Sequence, residues 1–295
     1  MDHPLNLPLP AVNEVTALRA QVSAWRLAGE RIGFVPTMGA LHAGHLSLIE
    51  KAREHSDRVV VSIFVNPAQF APGEDFDAYP RTLDQDAAML TGAGCDLLFA
   101  PTARVMYPAG FDLTVHVGGP SAGLETDFRP HFFDGVATVV AKLFNQVRPD
   151  IAVFGEKDYQ QLLVVTRLAA DLDHGVDIVP APILREPDGL AMSSRNAYLS
   201  KEDRQRAARL YAILTGMVTG LEAGTSIETA QAEAIRAARL AFDSVDYIEA
   251  RCASTLATLP AGPLERPARI LAAVKLGSTR LIDNLAASPL AQATR

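Results

Sequence analysis

Apolar and polar positions along this chain change rhythm twice. Val15, Leu18, Val22 and Trp25 recur at helical spacing after Asn13 and stop before Gly29, which predicts an amphipathic helix. From Ile32 onward, short continuous apolar runs alternate with helix-length amphipathic segments. "IGFV" (32–35), "VVVSIFV" (59–65), "CDLLFA" (95–100), "IAVF" (151–154) and "VDIVPAPI" (176–183) read as strands, the second of them buried on both faces. Residues 46–54, 82–90, 135–147 and 159–172 read as the helices between them, the second opened by a Thr82/Gln85 capping box. Strands alternating with helices imply right-handed crossovers and a parallel sheet covered on both faces.

After Ile183 the rhythm changes again. "REPDGLAMSSRNAYLS" (185–200) is a polar connector containing Gly and Pro, followed by alanine-rich helical patterns over 200–222 and 226–242. "VDYIEARC", "ARILAAVKL" and "TRLIDNL" then read as strands without intervening helices, which suits an antiparallel sheet. The expected fold is α/β: a Rossmann-like parallel-sheet domain over 1–184, then a smaller α+β domain over 185–295 with a short antiparallel sheet.

Composition narrows the function classes. With 295 residues, 48% of them hydrophobic, the chain can build a sizeable core. A net charge of −7 disfavours a general nucleic-acid binder, which needs clustered Lys and Arg. The longest apolar runs are strand-sized, so no segment reads as a membrane span, and "MDHPLNLPLP" does not read as a secretory signal. Cys95 and Cys252, far apart in apolar contexts, read as two reduced, buried thiols of a cytosolic protein.

The polar residues with chemical potential gather at predicted strand exits, where open α/β sheets bind ligands. "PTMGALHAGH" (36–45) follows the first core strand. Gly39 and Gly44 permit close backbone approach, and the free N–H groups at the next helix start form an anion site. His42 and His45, three apart, share a face and could both donate to one phosphate; a metal site or plain turn chemistry are the other readings. Asn66 and Gln69 follow the second strand in "FVNPAQF". Gly155, Lys157, Asp158 and Gln161 follow the fourth in "FGEKDYQQL". In "GLAMSSRNAYL", Ser193, Ser194 and Arg195 crowd hydroxyls and a guanidinium in a way that suits polyphosphate.

"PTMGALHAGH", "IFVNPAQF", "YPRTLDQD", "FGEKDYQQL" and "DGLAMSSRN" together resemble the signature set of the pantoate–β-alanine ligases, in the family's order, from about Leu7 to Leu285. The first motif alone marks only the wider nucleotidyltransferases with a HIGH-like histidine motif. The resemblance implies an ATP-dependent ligase that condenses pantoate with β-alanine through a pantoyl adenylate, releasing AMP and pyrophosphate and yielding pantothenate. It also implies Mg²⁺, a cytoplasmic homodimer formed through the N-terminal domain, and a C-terminal domain that covers the active site. Small molecules are the implied partners, with neither nucleic acid nor membrane.

Carried over by position, Met38, Gly39, Ala40, Leu41, His42, Ala43, Gly44 and His45 would bind ATP. Gly155, Glu156, Lys157, Asp158, Leu184, Met192, Ser193, Ser194 and Arg195 would also line the nucleotide site. His45, as proton donor, with His42, Lys157 and Arg195 would form the catalytic group. Gln69 and Gln161 would hold pantoate, Gln69 would also meet β-alanine, and Asp86 would help place Mg²⁺ through water. Two departures stand out. "RPHFFDGV" has Phe132 where relatives commonly carry a histidine, with His131 one place earlier, and Gln85 stands where many carry an acid. Another adenylyltransferase and a non-catalytic ATP-sensing module are the rival readings, and the glutamines at two strand exits favour the ligase.

Overall fold

The structure, a computed structural model, describes residues 7–290 apart from Pro72 and Asp75. The chain forms two compact units: Met1–Glu156 with Gln161–Pro182, and Lys157–Gln160 with Ile183–Arg295.

The first unit is built on a six-stranded sheet: β1 (Ala11–Val12), β2 (Ile32–Thr37), β3 (Arg58–Ile63), β4 (Leu97–Phe99), β5 (Ile151–Gly155) and β6 (Asp177–Ala181). The spatial order is β1-β4-β3-β2-β5-β6, and every pair is parallel. From β2 the chain winds outward through β3 to β4, then returns to add β5 and β6 on the other side, so the winding reverses between β2 and β5. That switch point is where doubly wound sheets open a crevice at their carboxyl ends. Helices α1 (Val15–Leu27), α2 (Ala43–Arg53), α3 (Leu83–Ala93), α4 (Ala103–Met106), α5 (Glu125–Phe128), α6 (Phe132–Val147) and α7 (Tyr159–Asp171) connect the strands.

Burial on both faces explains the unbroken apolar runs. Val59, Val61, Val35, Ile151 and Val153 form one cluster with Ile49 and Ala52 of α2 and Leu90 of α3. At the amino ends of the strands, carboxylates take up backbone donors. Asp57 accepts from Arg31 N (2.8 Å), Asp150 from Ile32 N (2.7 Å) and Asp96 from Val59 N (2.8 Å). These pairs tie up the amino-terminal edge and leave polar chemistry to the loops at the other.

The second unit holds the antiparallel sheet β7 (Ser244–Cys252), β8 (Ala268–Leu276) and β9 (Thr279–Ala287), in that order. Helices α8 (Lys201–Ala207), α9 (Arg209–Glu222) and α10 (Ile227–Ala241) precede it in the chain. Leu210, Leu214, Met217 and Leu221 of α9 meet Ile270, Ala272, Val274 and Leu281 of the sheet in one core. Each large side chain buried there contributes about 1.5–3 kcal/mol.

The expected α/β class with a short antiparallel sheet is what the structure has. Several local expectations differ. Helix α2 begins at Ala43, not residue 46, because His42 and His45 together cap it. The 200–222 pattern breaks at Ala208 into α8 and α9, and α6 starts three residues before 135. No Thr82/Gln85 box forms, since Thr82 makes no side-chain cap bond and its hydroxyl turns to Asp86 instead. The two-residue β1 carries too little pattern to be seen in sequence. Both cysteines are free, but only Cys95 is buried; Cys252, at the end of β7, is half-exposed.

Candidate active site

In the first unit, three strand exits and one helix start carry the expected residues. At the end of β2, Thr37 donates to Ser62 O (2.8 Å) and accepts from Gly39 N (3.2 Å), turning the chain away from the sheet. Gly39 (φ +87°) and Ala40 (φ +52°) are then both left-handed. For Ala40 that conformation is costly, by roughly 1–2 kcal/mol. The loop keeps it because Asp86, 2% exposed, binds two consecutive amides: Oδ2 accepts from Ala40 N and Oδ1 from Leu41 N, both at 2.9 Å. Thr82 Oγ1 adds a third bond to Oδ2 (3.2 Å). A Cβ at Gly39 would sit 3.1 Å from that same Oδ2.

Helix α2 starts with a capping box made of two histidines. His42 Nδ1 accepts from Gly44 N (3.1 Å) and His45 Nδ1 accepts from His42 N (3.3 Å). The rings lie 4.2 Å apart, centroid to centroid, tilted by 46°. A ring nitrogen that accepts carries no proton, so the proton of each neutral imidazole belongs to Nε2, a donor. Turn chemistry and donor chemistry, rival readings of the sequence, thus use opposite ends of the same rings.

At the exit of β3, Asn66 caps the 3₁₀ turn Pro67–Gln69 by accepting from Ala68 N (3.2 Å). Its Nδ2 donates to Gln69 Oε1 (2.9 Å) and to Gly135 O (3.1 Å). Gln69, 7% exposed, therefore has its amide oxygen engaged, which leaves its NH₂ as the group with donors to offer. Tyr107 OH donates to Asn66 Oδ1 (2.7 Å), and burial pushes this phenol up to about 12, against the smaller opposing effect of that bond. It therefore stays a donor across the physiological range.

Arg129 fixes the same turn from outside. Its Nη2 donates to Gln69 O (2.9 Å), while it pairs with Glu74 (2.7 Å) and Glu125 (3.1 Å). Burial alone would raise Glu74; the Arg129 guanidinium outweighs it and holds the carboxyl below the usual range. Phe132, standing where relatives commonly have a histidine, lies 4.0 Å under that guanidinium. His131 Nε2 is buried with no hydrogen-bond partner. At Gly135 a Cβ would fall 2.2 Å from Ala68 O, so glycine is required where α6 meets the turn. Asn66 was visible in the sequence as a turn residue; Tyr107, Arg129 and Gly135 had no local signal beyond the "GV" of "RPHFFDGV".

At the exit of β5, Gly155 and Glu156 end the first unit's segment, and Gln161 is half-buried in the first turn of α7. Lys157 and Asp158 belong to the second unit, as do Leu184, Met192, Ser193, Ser194 and Arg195. There the connector turns back on itself through an Arg185–Ala191 bridge, and Met192 N donates to Leu184 O (3.0 Å). Ser193 caps the 3₁₀ turn Ser194–Tyr198 by accepting from Arg195 N (3.2 Å), and Asn196 Nδ2 donates to Ala191 O (3.1 Å). Leu184 is 39% exposed.

A parallel doubly wound sheet, polar strand exits and donor-rich helix start define a nucleotide-handling α/β enzyme. The family described as pantoate-beta-alanine ligase matches residues 10–286. A pantothenate synthetase of Maricaulis maris is 58% identical over 281 residues, covering 95% of this chain and 98% of its own. The solved pantothenate synthetase of Thermus thermophilus is 48% identical with a TM-score of 0.88, covering 94% of this chain and 99% of its own. A Francisella tularensis pantoate-beta-alanine ligase, solved with beta-gamma ATP and beta-alanine, is 34% identical with a TM-score of 0.78, over 94% of this chain and 97% of its own. The chain belongs to the pantoate-beta-alanine ligase family.

Proposed function

We propose that the chain carries out its family's ATP-dependent condensation of pantoate with β-alanine through an acyl adenylate, using the residues above. A carboxylate is a poor electrophile toward an amine. Attack of the pantoate carboxylate on the α-phosphorus breaks the bond to pyrophosphate and gives a mixed anhydride whose AMP is a good leaving group. The amine of β-alanine then attacks the acyl carbon, and the carbon–oxygen bond to AMP breaks. The protein's task is to position two anions and stabilise growing charge.

The observation that carries this reading is the histidine cap, whose Nε2 donors stand at the amino end of α2 beside the switch point. In this reading His45 donates to the phosphate oxygens as charge grows, with His42 beside it, while Met38–Gly44 offer backbone amides. Lys157, Ser193, Ser194 and Arg195 supply cation and hydroxyl donors for the polyphosphate, and Gly155, Glu156, Asp158, Leu184 and Met192 complete the nucleotide contacts. Gln69 offers its NH₂ to pantoate and β-alanine, and Gln161 binds pantoate.

Mg²⁺ enters as the Mg·ATP substrate. Among the described residues no three His, Cys, Asp or Glu side chains cluster to hold an ion, and Asp86 is buried on two amides and a hydroxyl. In this reading Asp86 first holds the loop through those three bonds, and its part in placing Mg²⁺ runs through water. The same reading includes a homodimer through the first unit and a cytoplasmic setting, which two free thiols suit. No helix among the described residues is long and apolar enough to cross a membrane.

The deciding experiment is exchange of labelled pyrophosphate into ATP without β-alanine. Exchange that requires pantoate supports the acyl adenylate; exchange with another acid or a phosphorylated precursor alone would assign a different adenylyl acceptor.

A further inference from the structure

Two adjacent residues in the middle of β9 are deeply buried polar groups: Asp283 at 3% exposure and Asn284 at 2%. Successive strand residues point to opposite faces, and their register partners on β8 are Ala272 and Leu271. Each reaches a different segment. Asp283 takes Arg185 in a two-point pair, Oδ2 from Nη1 at 2.7 Å and Oδ1 from Nη2 at 2.9 Å. The same guanidinium donates to Gly189 O (2.9 Å) and stacks on Tyr211 of α9 at 4.3 Å. Gly189, at φ +91°, is needed there, since a Cβ would come 2.3 Å from the Tyr211 ring. The turn Ser194–Tyr198 itself packs on β9.

Asn284 works on the other segment. Its Nδ2 donates to Lys157 O (2.8 Å), and its Oδ1 accepts from Arg269 Nε. The Arg269 guanidinium stacks on Tyr159 at 4.2 Å, and Tyr159 OH donates to Ala253 O (3.0 Å). Residues 157–160 therefore belong to the second unit although the strand before them and most of α7 belong to the first.

We propose that Asp283 and Asn284 are the positioning residues of this enzyme's cationic arm: through one strand they fix the connector that bears Ser193–Arg195 and the turn that bears Lys157 in a single arrangement. Neither touches a reacting atom; each acts through a segment assigned above to ATP, and the inference rests on that assignment. A salt bridge from Asp283 and a hydrogen bond from the Asn284 amide to Lys157 O make β9 a shared anchor. A shift of β9 would displace both segments together, and misplacement of a reacting group by about 1 Å costs on the order of 10²-fold in rate.

The test is pantoate-dependent pyrophosphate exchange with purified full-length variants. Asn284→Asp keeps an acceptor for Arg269 but sets an oxygen against Lys157 O. It is expected to lower exchange or raise the KM for ATP by about 10- to 100-fold, leaving the KM for pantoate within about 2-fold of wild type. Asp283→Asn is expected to act on the same parameter; should it fail to fold, Arg185→Gln/Asp283→Asn, which removes both charges, replaces it. In Asp283→Asn/Asn284→Asp the losses should be less than multiplicative, because both free the same arm. Folded variants that exchange like wild type, or that lose ATP and pantoate affinity alike, overturn the anchor. Lys157→Ala separates the two readings. If it leaves exchange intact, the ATP assignment fails; if it abolishes exchange while Asn284→Asp does not, the anchor alone fails.

Discussion

The two units hold their site residues by different means. In the first, the caps nearest the strand exits are short-range: His42 and His45 are three residues apart, as are Asn66 and Gln69, and each pair closes a turn. Ties of 41 to 69 residues brace these caps: Asp86 holds two loop amides, and Tyr107, Arg129 and Gly135 hold the Asn66–Gln69 turn. In the second, the ties span 98 residues from Arg185 to Asp283 and 127 from Lys157 to Asn284. Local caps form as soon as the helix or turn does. Long-range ties exist only once the sheet of the second unit is built. A loop closed by its own side chains is pre-organised for a transition state, whereas an arm held by a distant strand is placed by tertiary structure.

Substitutions at His45 probe that contrast hardest. Removing a donor aimed at developing charge costs about 10²–10³ in rate, so His45→Ala should suppress pyrophosphate exchange by that factor with a smaller loss of ATP binding. His45→Asn retains a cap acceptor close to the helix, whereas His45→Gln reaches to the Nε2 position. Greater activity in the Gln variant would assign the effect to the donor, and greater activity in the Asn variant would assign it to the cap.

Gln161→Ala should raise the KM for pantoate by about 5- to 150-fold, the equivalent of one unpaired hydrogen bond, with ATP affinity unchanged when measured without pantoate. Equal weakening of both ligands would make Gln161 part of the pocket's frame.

Asp86→Asn tests the longer tie that holds the first loop. An amide can accept at only one of its two atoms, so one of Ala40 N and Leu41 N loses its partner, at about 1–3 kcal/mol of stability. The KM for ATP should rise about 10-fold. A higher Mg²⁺ concentration for half-maximal exchange would support the water-mediated placing of the metal, and an unchanged one would confine Asp86 to the loop.

The smallest effect concerns the thiols. Hydrogen bonds from Thr255 and Ser254 draw Cys252 down to about 7, whereas burial raises Cys95 to about 12. Because the thiolate is the reactive form, alkylation of native protein should occur at Cys252, accelerate as pH rises through about 7, and spare Cys95. Mass spectrometry of the alkylated chain reads this directly.

Most strands and helices could be read from apolar spacing, since a strand buried on both faces must be apolar throughout and an amphipathic helix must repeat every three to four residues. The antiparallel second sheet was equally legible from three strand-like runs without helices between them. Residues at strand exits were legible as candidates because parallel sheets present their ligands there, and the motif resemblance extended them to Leu184 and Met192. The sequence by itself determined, then, the α/β class, the glycines and histidines of the first loop, and the amides that follow β3 and β5. It could not decide what each polar group would do once placed. That Thr82 would serve Asp86 instead of capping its helix, that Asp86 would hold loop amides, and that Gln69 would spend its oxygen on Asn66 depend on neighbours 3 to 46 residues away in chain. Tyr107, Arg129 and the Asp283–Asn284 pair carry no periodic signal at all. Their partners are set by which strands and turns the fold brings within about 3 Å, the reach of a hydrogen bond, and spacing along a chain does not encode that distance.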